Sequence, residues 1–175
     1  DPLPVPVVWN SGGYDRVETL AALEGKIQIY LPDYKYTDPD TARRYAGAAD
    51  YPETARAAIR EMVRQTGPYQ LDENGILTRG VILRHLLLPG GLNQAKEVMD
   101  WVAEPFPPHT ILFSLMSQYT PWGKAADSPP LDRRLRKSEI RAAEAYFTNL
   151  GLDGFTQGVE AAQADYIPSF DLTGV

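Results

Sequence analysis

Two side chains of opposite charge, Asp33 and Lys35, directly follow a short apolar run in this sequence. Residues two apart on a strand project to the same face, so the carboxylate and the ammonium group are expected to lie side by side. Such a pair can bind the hydroxyl groups and the carboxylate of one polar ligand. It can also be a surface ion pair worth about 0–1 kcal/mol. The spacing alone leaves both interpretations open.

Other apolar runs carry polar residues as well. Asn10 and Ser11 open a turn that ends in two glycines, and its backbone amides suit either a ligand or an ordinary loop. Arg84 and His85 stand inside an apolar run, where alternation sends them to opposite faces of a strand. A lone strand histidine is more often structural than catalytic. The arginine needs an anionic partner, because burying an unpaired charge is costly.

Four apolar runs position these residues, and a helical pattern follows each run. The predicted strands are Val5–Trp9, Lys26–Leu31, Gly80–Leu88 and Thr110–Met116. This rhythm predicts an α/β fold with a parallel sheet, whose strand carboxyl ends gather on one face and bind ligands there. Four strands cannot close an eight-strand barrel, so we expect an open, partial (β/α) TIM-like barrel with outer helices. The edge of the first strand should be covered by the C-terminal tail or by another molecule.

Apolar residues at helical spacing also predict the helices. They are Arg16–Glu24, Thr41–Tyr45, Pro52–Gln65, Leu92–Ala103 and Glu139–Leu150. Asp38 or Asp40 is expected to cap the second helix and Ser138 the last. An Asn74–Gly75 turn predicts a β-hairpin ahead of the third core strand. Residues 1–151 are assigned to the partial barrel, and residues 152–175 to an irregular C-terminal tail.

Composition narrows the classes of function. The chain has 175 residues, 43% of them hydrophobic, which suffices for one core, and a net charge of −6, which argues against a nucleic-acid partner. It has no cysteine, so it holds neither a disulfide nor a cysteine-bound metal. No apolar run approaches the roughly 20 residues of a membrane span, and a cytoplasmic location is expected. The start at Asp1, without a methionine or signal peptide, is what an N-terminal truncation would give.

No common catalytic motif is visible. The sequence has no GxSxG, P-loop or GxGxxG pattern, and its two histidines lack metal-ligand spacing. A basic segment, Arg133–Lys137, is interpreted as a solvated entry to the last helix, with an anion or peptide contact as the alternative. Catalytic residues therefore stay unknown from motifs of this kind.

The polar motifs at the ends of the four predicted strands, in their order along the chain, resemble those of a known family. AsnSerGlyGly at Asn10–Gly13, AspTyrLys at Asp33–Lys35, ArgHisLeuLeuLeuProGly at Arg84–Gly90 and SerGlnTyr at Ser117–Tyr119 are similar to motifs of the radical S-adenosylmethionine (radical SAM) superfamily. The branch is that of pyruvate formate-lyase activating enzyme-like iron–sulfur proteins. The resemblance implies units three to six of a six-unit barrel. The first two units of that family carry a CxxxCxxC segment for a [4Fe–4S] cluster and a GGE-like motif, and neither is present in this sequence.

The resemblance also implies roles for residues and an activity. The SAM-binding positions that it implies are Asn10, Ser11, Asp33, Lys35 and Tyr119, and those near the substrate or cluster are Arg84, His85 and Gln118. The parent protein would be an oxidoreductase that cleaves S-adenosylmethionine to a 5′-deoxyadenosyl radical for hydrogen abstraction. Its partner would be a glycyl radical enzyme or another protein or peptide substrate, with neither nucleic acid nor membrane involved. SAM and the [4Fe–4S] cluster would belong to the parent, and this chain alone should be inactive. The alternative is a non-catalytic β/α module that binds a peptide or a small anion.

Overall fold

The computed structural model of the protein describes residues 5–157, which form an α/β fold. The strands are β1 Val8–Ser11, β2 Ile29–Pro32, β3 Gln70–Leu71, β4 Leu77–Leu86, β5 Ile111–Met116 and β6 Gly154–Gln157. The helices are α1 Val17–Ala21, α2 Pro39–Ala46, α3 Tyr51–Thr66, α4 Leu92–Ala103 and α5 Lys137–Leu150. A 3-10 helix covers Gly123–Asp127 within the loop that follows β5.

Five parallel strands form one open sheet in the order β1-β2-β4-β5-β6, and β3 adds an antiparallel pairing to β4. β1 and β6 lie at opposite edges, so the sheet does not close into a barrel. The predicted parallel, open α/β partial barrel with outer helices is confirmed. The predicted hairpin is also present, with Gly75 at a φ of 78° in its turn.

The fifth parallel strand, β6, was not predicted. Gly154–Gln157 pairs with Phe113–Met116. These four residues of β6 belong to the segment 152–175, which the sequence analysis assigned to an irregular tail. Its first residue must be glycine, because a Cβ there would lie 1.9 Å from the Phe113 carbonyl oxygen. Four residues of low hydrophobicity give too little periodicity for prediction. The predicted cover of the β1 edge by the C-terminal tail falls on residues outside the described range.

The helix predictions hold in position and differ at the ends. α4 has the predicted bounds, whereas α1 is shorter than predicted and ends at Ala21. The Asp38 carboxylate caps α2 by accepting the Thr41 backbone N–H at 2.7 Å. The predicted cap by Ser138 is wrong. α5 begins two residues before the predicted Glu139, at Lys137, and the Glu139 carboxylate accepts the Arg136 backbone N–H at 2.8 Å.

The two faces of the sheet differ in burial, and this difference positions the site. Along β4, Val81, Leu83 and His85 are buried toward the helices, whereas the alternating Ile82 and Arg84 are only partly buried on the opposite face. The second face has no helical layer among the described residues, and we call it the open face. No helix within residues 5–157 has the length and apolar character needed to cross a membrane.

Candidate functional site

Four of the predicted site residues meet at the carboxyl ends of β1, β2 and β4, and we call them the exit cluster: Asn10, Asp33, Lys35 and Arg84. The Arg84 guanidinium lies 2.8 Å from the Asp33 carboxylate and donates a hydrogen bond to the Asn10 side-chain oxygen at 2.8 Å. The Lys35 ammonium lies 3.6 Å from Asp33. Asp33 is therefore the anionic partner that the sequence required for Arg84.

The sheet itself brings the cluster together. β1 and β2 pair in parallel up to Ser11 and Pro32, and Asp33 then forms a backbone bridge opposite Arg84. Residues paired in this way on neighbouring parallel strands project to the same face. The Arg84 and Asp33 side chains are 25% and 18% exposed, and Lys35 is 48% exposed, so the cluster opens to solvent on the Lys35 side.

Two buried polar atoms of the exit cluster make no hydrogen bond within the described residues. Among the described residues, Asp33 Oδ1 and Arg84 Nε are buried without a hydrogen-bond partner, since the Asp33–Arg84 ion pair lacks hydrogen-bond geometry. Buried polar atoms normally find partners, and their absence here marks a place where a ligand can supply them. One carboxylate faces two cations, so the cluster carries an excess positive charge that suits an anionic group.

The turn after β1 packs directly against the cluster. Gly13 has a φ of 78°, and a Cβ there would lie 2.1 Å from the Asp33 carbonyl oxygen. The Ser11 hydroxyl accepts the Gly13 backbone N–H at 2.9 Å and donates to the Asp15 carboxylate. The turn is therefore a built support for Asp33. Ser11 shapes that turn, and its hydroxyl is already engaged there.

Tyr51 holds the cluster from below and was missed by the sequence analysis. Its hydroxyl accepts the Lys35 backbone N–H at 2.9 Å and is shared between the carbonyl oxygens of Gly12, at 2.9 Å, and Asp33, at 3.0 Å. Burial raises the pKa of this hydroxyl well above its usual range, and the nearby Asp33 charge adds to the effect. Tyr51 thus stays protonated and ties the exits of β1 and β2 together.

His85 does not join the cluster, because it lies on the helix side of β4. It is 1% exposed, and its Nδ1 donates to the Tyr34 carbonyl oxygen at 2.7 Å. Burial lowers the pKa of this imidazole. The structure therefore separates His85 from Arg84, as strand alternation predicts.

Tyr119 and Gln118 lie at the exit of β5, beside a second cavity. The Tyr119 hydroxyl donates to the Leu131 carbonyl oxygen at 2.8 Å, and its ring lines a pocket of about 430 Å³ with Tyr36 and Tyr45. Gln118 is partly buried at the preceding position. None of the four residues of the exit cluster lines this pocket.

The chemistry of the donor set can be tested against the two groups that the motifs imply. An iron–sulfur cluster does not fit this chain, because the sequence has no cysteine and residues 5–157 contain no group of three metal-ligating side chains. S-adenosylmethionine carries a carboxylate, an amine and ribose hydroxyls. The exit cluster supplies an ammonium group for the carboxylate and a carboxylate and an amide for hydroxyls, so it fits all of these except the amine.

Comparison of the sequence with known proteins gives one similar protein and no family. No protein-family profile matches the chain. An uncharacterized protein of Methanocaldococcus jannaschii is 29% identical over 150 residues, which cover 85% of this chain. This chain spans 40% of the length of that relative.

Two solved structures are similar in three dimensions. A domain of pyruvate-formate lyase-activating enzyme from Bacteroides vulgatus matches with a TM-score of 0.57 and 16% identity, over 82% of this chain and 75% of that one. A radical SAM methyltransferase from Sphaerobacter thermophilus matches with a TM-score of 0.49 and 13% identity, over 86% of this chain and 40% of that one. The described part of this chain therefore shares the open partial-barrel fold of the first of these structures, as the sequence predicted.

Proposed function

We propose that this chain is the SAM-contacting, C-terminal portion of a cytoplasmic radical SAM oxidoreductase. The observation that carries the proposal is the exit cluster, in which Asp33, Lys35 and Arg84 meet at the carboxyl ends of parallel strands. In open parallel sheets, ligands bind at this end of the strands. The fold supports the proposal but does not by itself specify a reaction.

Each residue of the cluster has a role in this proposal. Lys35, which is half exposed, faces the carboxylate of S-adenosylmethionine, and the partly exposed Asp33 carboxylate accepts from a ribose hydroxyl. Asn10 orients Arg84 by accepting its hydrogen bond, and Arg84 faces the substrate side. With S-adenosylmethionine held by Lys35 and Asp33, a reduced [4Fe–4S] cluster bound by other residues of the complete protein would supply the electron for its cleavage, and the resulting 5′-deoxyadenosyl radical would abstract hydrogen. The cluster ligands lie outside this chain, and the proposed partner is a glycyl radical enzyme or another protein or peptide substrate.

Binding measurements on the complete gene product test this assignment. The protein is loaded anaerobically with iron and sulfide, and the dissociation constant for S-adenosylmethionine is measured by equilibrium dialysis. Asp33→Asn and Lys35→Gln should each raise that constant by about tenfold, which corresponds to about 1.4 kcal/mol. Arg43→Gln removes a charge from a surface ion pair with Asp40 and should leave it unchanged. Wild-type affinity in both Asp33→Asn and Lys35→Gln would show that SAM binds elsewhere.

A further inference from the structure

A cavity that we call the tyrosine pocket lies at the exits of β4 and β5. It is lined chiefly by Tyr36, Tyr45, Tyr119, Arg44, Lys124 and Leu88. α2 forms one wall, the exits of β4 and β5 form the floor, and the loop with the 3-10 helix forms the other wall. Its volume of about 430 Å³ falls within the usual range for small-molecule sites.

The walls of the pocket are aromatic and apolar. The Tyr36 and Tyr45 rings have centroids 6.1 Å apart at an interplanar angle of 43°, and Leu88 and Leu131 complete the lining. The Arg44 guanidinium lies over the Tyr45 ring, 5.2 Å from its centroid. Tilted rings and a stacked guanidinium are surfaces on which a planar group of a ligand can pack.

Two tyrosine hydroxyls supply polar groups to the pocket that no other residue within 5–157 engages. The hydroxyls of Tyr36 and Tyr45 form no hydrogen bond with any residue that the structure describes. Burial raises the pKa of Tyr36, and the neighbouring Tyr45 and Tyr119 hydroxyls raise it further. The Tyr36 hydroxyl therefore stays protonated, and it can donate to an acceptor inside the pocket.

The charge of the lining is positive in a chain whose net charge is −6. Arg44 and Lys124 line the pocket, and neither forms an ion pair within residues 5–157. No carboxylate is among the lining residues. The adjacent cavity, which shares Tyr45, has the opposite character, because Asp38 and Glu97 line it without any lysine or arginine.

From these observations we propose that the tyrosine pocket binds a small organic anion with an aromatic body. The ring of the ligand packs on Tyr36, Tyr45 and Leu88, and its carboxylate or phosphate is held by Arg44, Lys124 and the Tyr36 and Tyr45 hydroxyls. This assignment goes beyond the proposed function, since the pocket uses none of the exit-cluster residues. Tyr119, which the resemblance assigned to SAM binding, lines the pocket, so the Asp33→Asn variant is needed to separate the two assignments.

Nuclear magnetic resonance titration of the 15N-labelled 175-residue chain tests the proposal. Phenyl phosphate and benzoate are the probes, and phenol and inorganic phosphate each supply one half of the ligand. The better of the two probes should shift the amides of Tyr36, Tyr45 and Tyr119 with a dissociation constant of about 0.1–1 mM, and each half-ligand should bind about tenfold more weakly. Comparison of the two probes distinguishes a phosphate from a carboxylate ligand.

Matched variants make the result decisive. Arg44→Gln with Lys124→Gln should weaken binding about tenfold, whereas Arg43→Gln with Lys96→Gln, which removes the same charge outside the pocket, should not. Tyr36→Phe with Tyr45→Phe keeps both rings and should weaken binding about fivefold. Asp33→Asn should leave the affinity for the probe unchanged. No saturable shift up to about 10 mM, equal binding of inorganic phosphate, or wild-type affinity in the Arg44/Lys124 variant would overturn the proposal.

Discussion

Asp33 is the residue on which the exit cluster depends, because it compensates Arg84 and Lys35 at once. The sequence predicted the Asp33–Lys35 pair from its spacing after a strand, and it predicted an anionic partner for Arg84, without naming that partner, from the cost of an unpaired arginine. It did not predict Tyr51, whose contacts reach residues 16 to 39 positions away in the chain. Contacts at such separations depend on the tertiary fold, and no local pattern encodes them.

Gly13→Ala tests the support beneath Asp33. The new Cβ would lie 2.1 Å from a backbone oxygen at a positive φ, and backbone cannot move aside as a side chain can. We expect the free energy of unfolding to fall by at least about 3 kcal/mol in urea titrations. Gly47→Ala is the control, since Gly47 has a similar φ with nothing within 4 Å, and it should cost only about 1 kcal/mol. Equal losses in the two variants would show that Gly13 is not packed against Asp33.

Tyr51→Phe tests the hydroxyl that joins the two strand exits. The ring stays in place, but the Lys35 N–H loses its acceptor and two carbonyl oxygens lose their shared donor. Chemical unfolding should show a loss of about 1–3 kcal/mol. Tyr14→Phe removes an exposed hydroxyl bonded to Asp50 and should change stability by less than about 0.5 kcal/mol. An unchanged free energy of unfolding in Tyr51→Phe would show that the hydroxyl does not hold the two strand exits together.

Elements with strong periodicity were predicted best. α4 keeps its predicted bounds because Ala95, Val98, Met99 and Val102 form one buried stripe. β6 was missed because only four residues pair, and its glycine start depends on the approach to Phe113. The cap of α5 was misplaced because Glu139 reaches backward along the chain, where a serine was expected to act.

The link that Glu139 makes between α5 and the turn after β4 can be tested through its pH dependence. Its carboxylate binds Arg133 and accepts the N–H groups of Arg136 and Gly90, which ties α5 to the turn after β4. The Arg133 hydrogen bonds, helped by those backbone donors, lower the pKa of Glu139 from 4.5 to about 2. A carboxyl group with a lowered folded pKa stabilises the protein above its unfolded pKa. That stability is lost as the pH falls through the folded value.

Glu139→Gln should therefore destabilise the protein by about 1–2 kcal/mol at neutral pH, after allowance for solvent screening. The difference from wild type should shrink as the pH falls from 4.5 toward 2. Urea unfolding of both proteins at a series of pH values measures this difference. Glu104→Gln, at an exposed position after α4, is the control for charge removal alone. A difference that stays constant with pH would contradict the role given to Glu139.

The open sheet positions the exit cluster while leaving one of its own faces without a helical layer among the described residues. β1, β2 and β4 hold the exit cluster in register, yet the open face has no helical layer among the described residues. The parallel order could be predicted from the sequence because each apolar run is followed by a helical pattern. The extent of the sheet could not, since β6 carries too few apolar residues to be recognised.

The chain by itself should bind S-adenosylmethionine weakly. Its exit cluster offers a few hydrogen bonds worth about 0.5–1.5 kcal/mol each, against ordering costs of at least several kcal/mol. Titration calorimetry of the 175-residue chain should therefore give a dissociation constant above about 1 mM. A value near micromolar would show that residues other than the exit cluster make the site.

Formation of 5′-deoxyadenosine from S-adenosylmethionine by the complete gene product would test the proposed function in a single assay. The protein is loaded with iron and sulfide, reduced with dithionite under anaerobic conditions, and the nucleoside is quantified by mass spectrometry. We predict formation by the wild type and by Arg43→Gln, and a loss of about tenfold or more in Asp33→Asn and in Lys35→Gln. The proposed function would be contradicted if the reduced protein, loaded with its iron–sulfur cluster, formed no 5′-deoxyadenosine. It would also be contradicted if Asp33→Asn and Lys35→Gln were as active as the wild type.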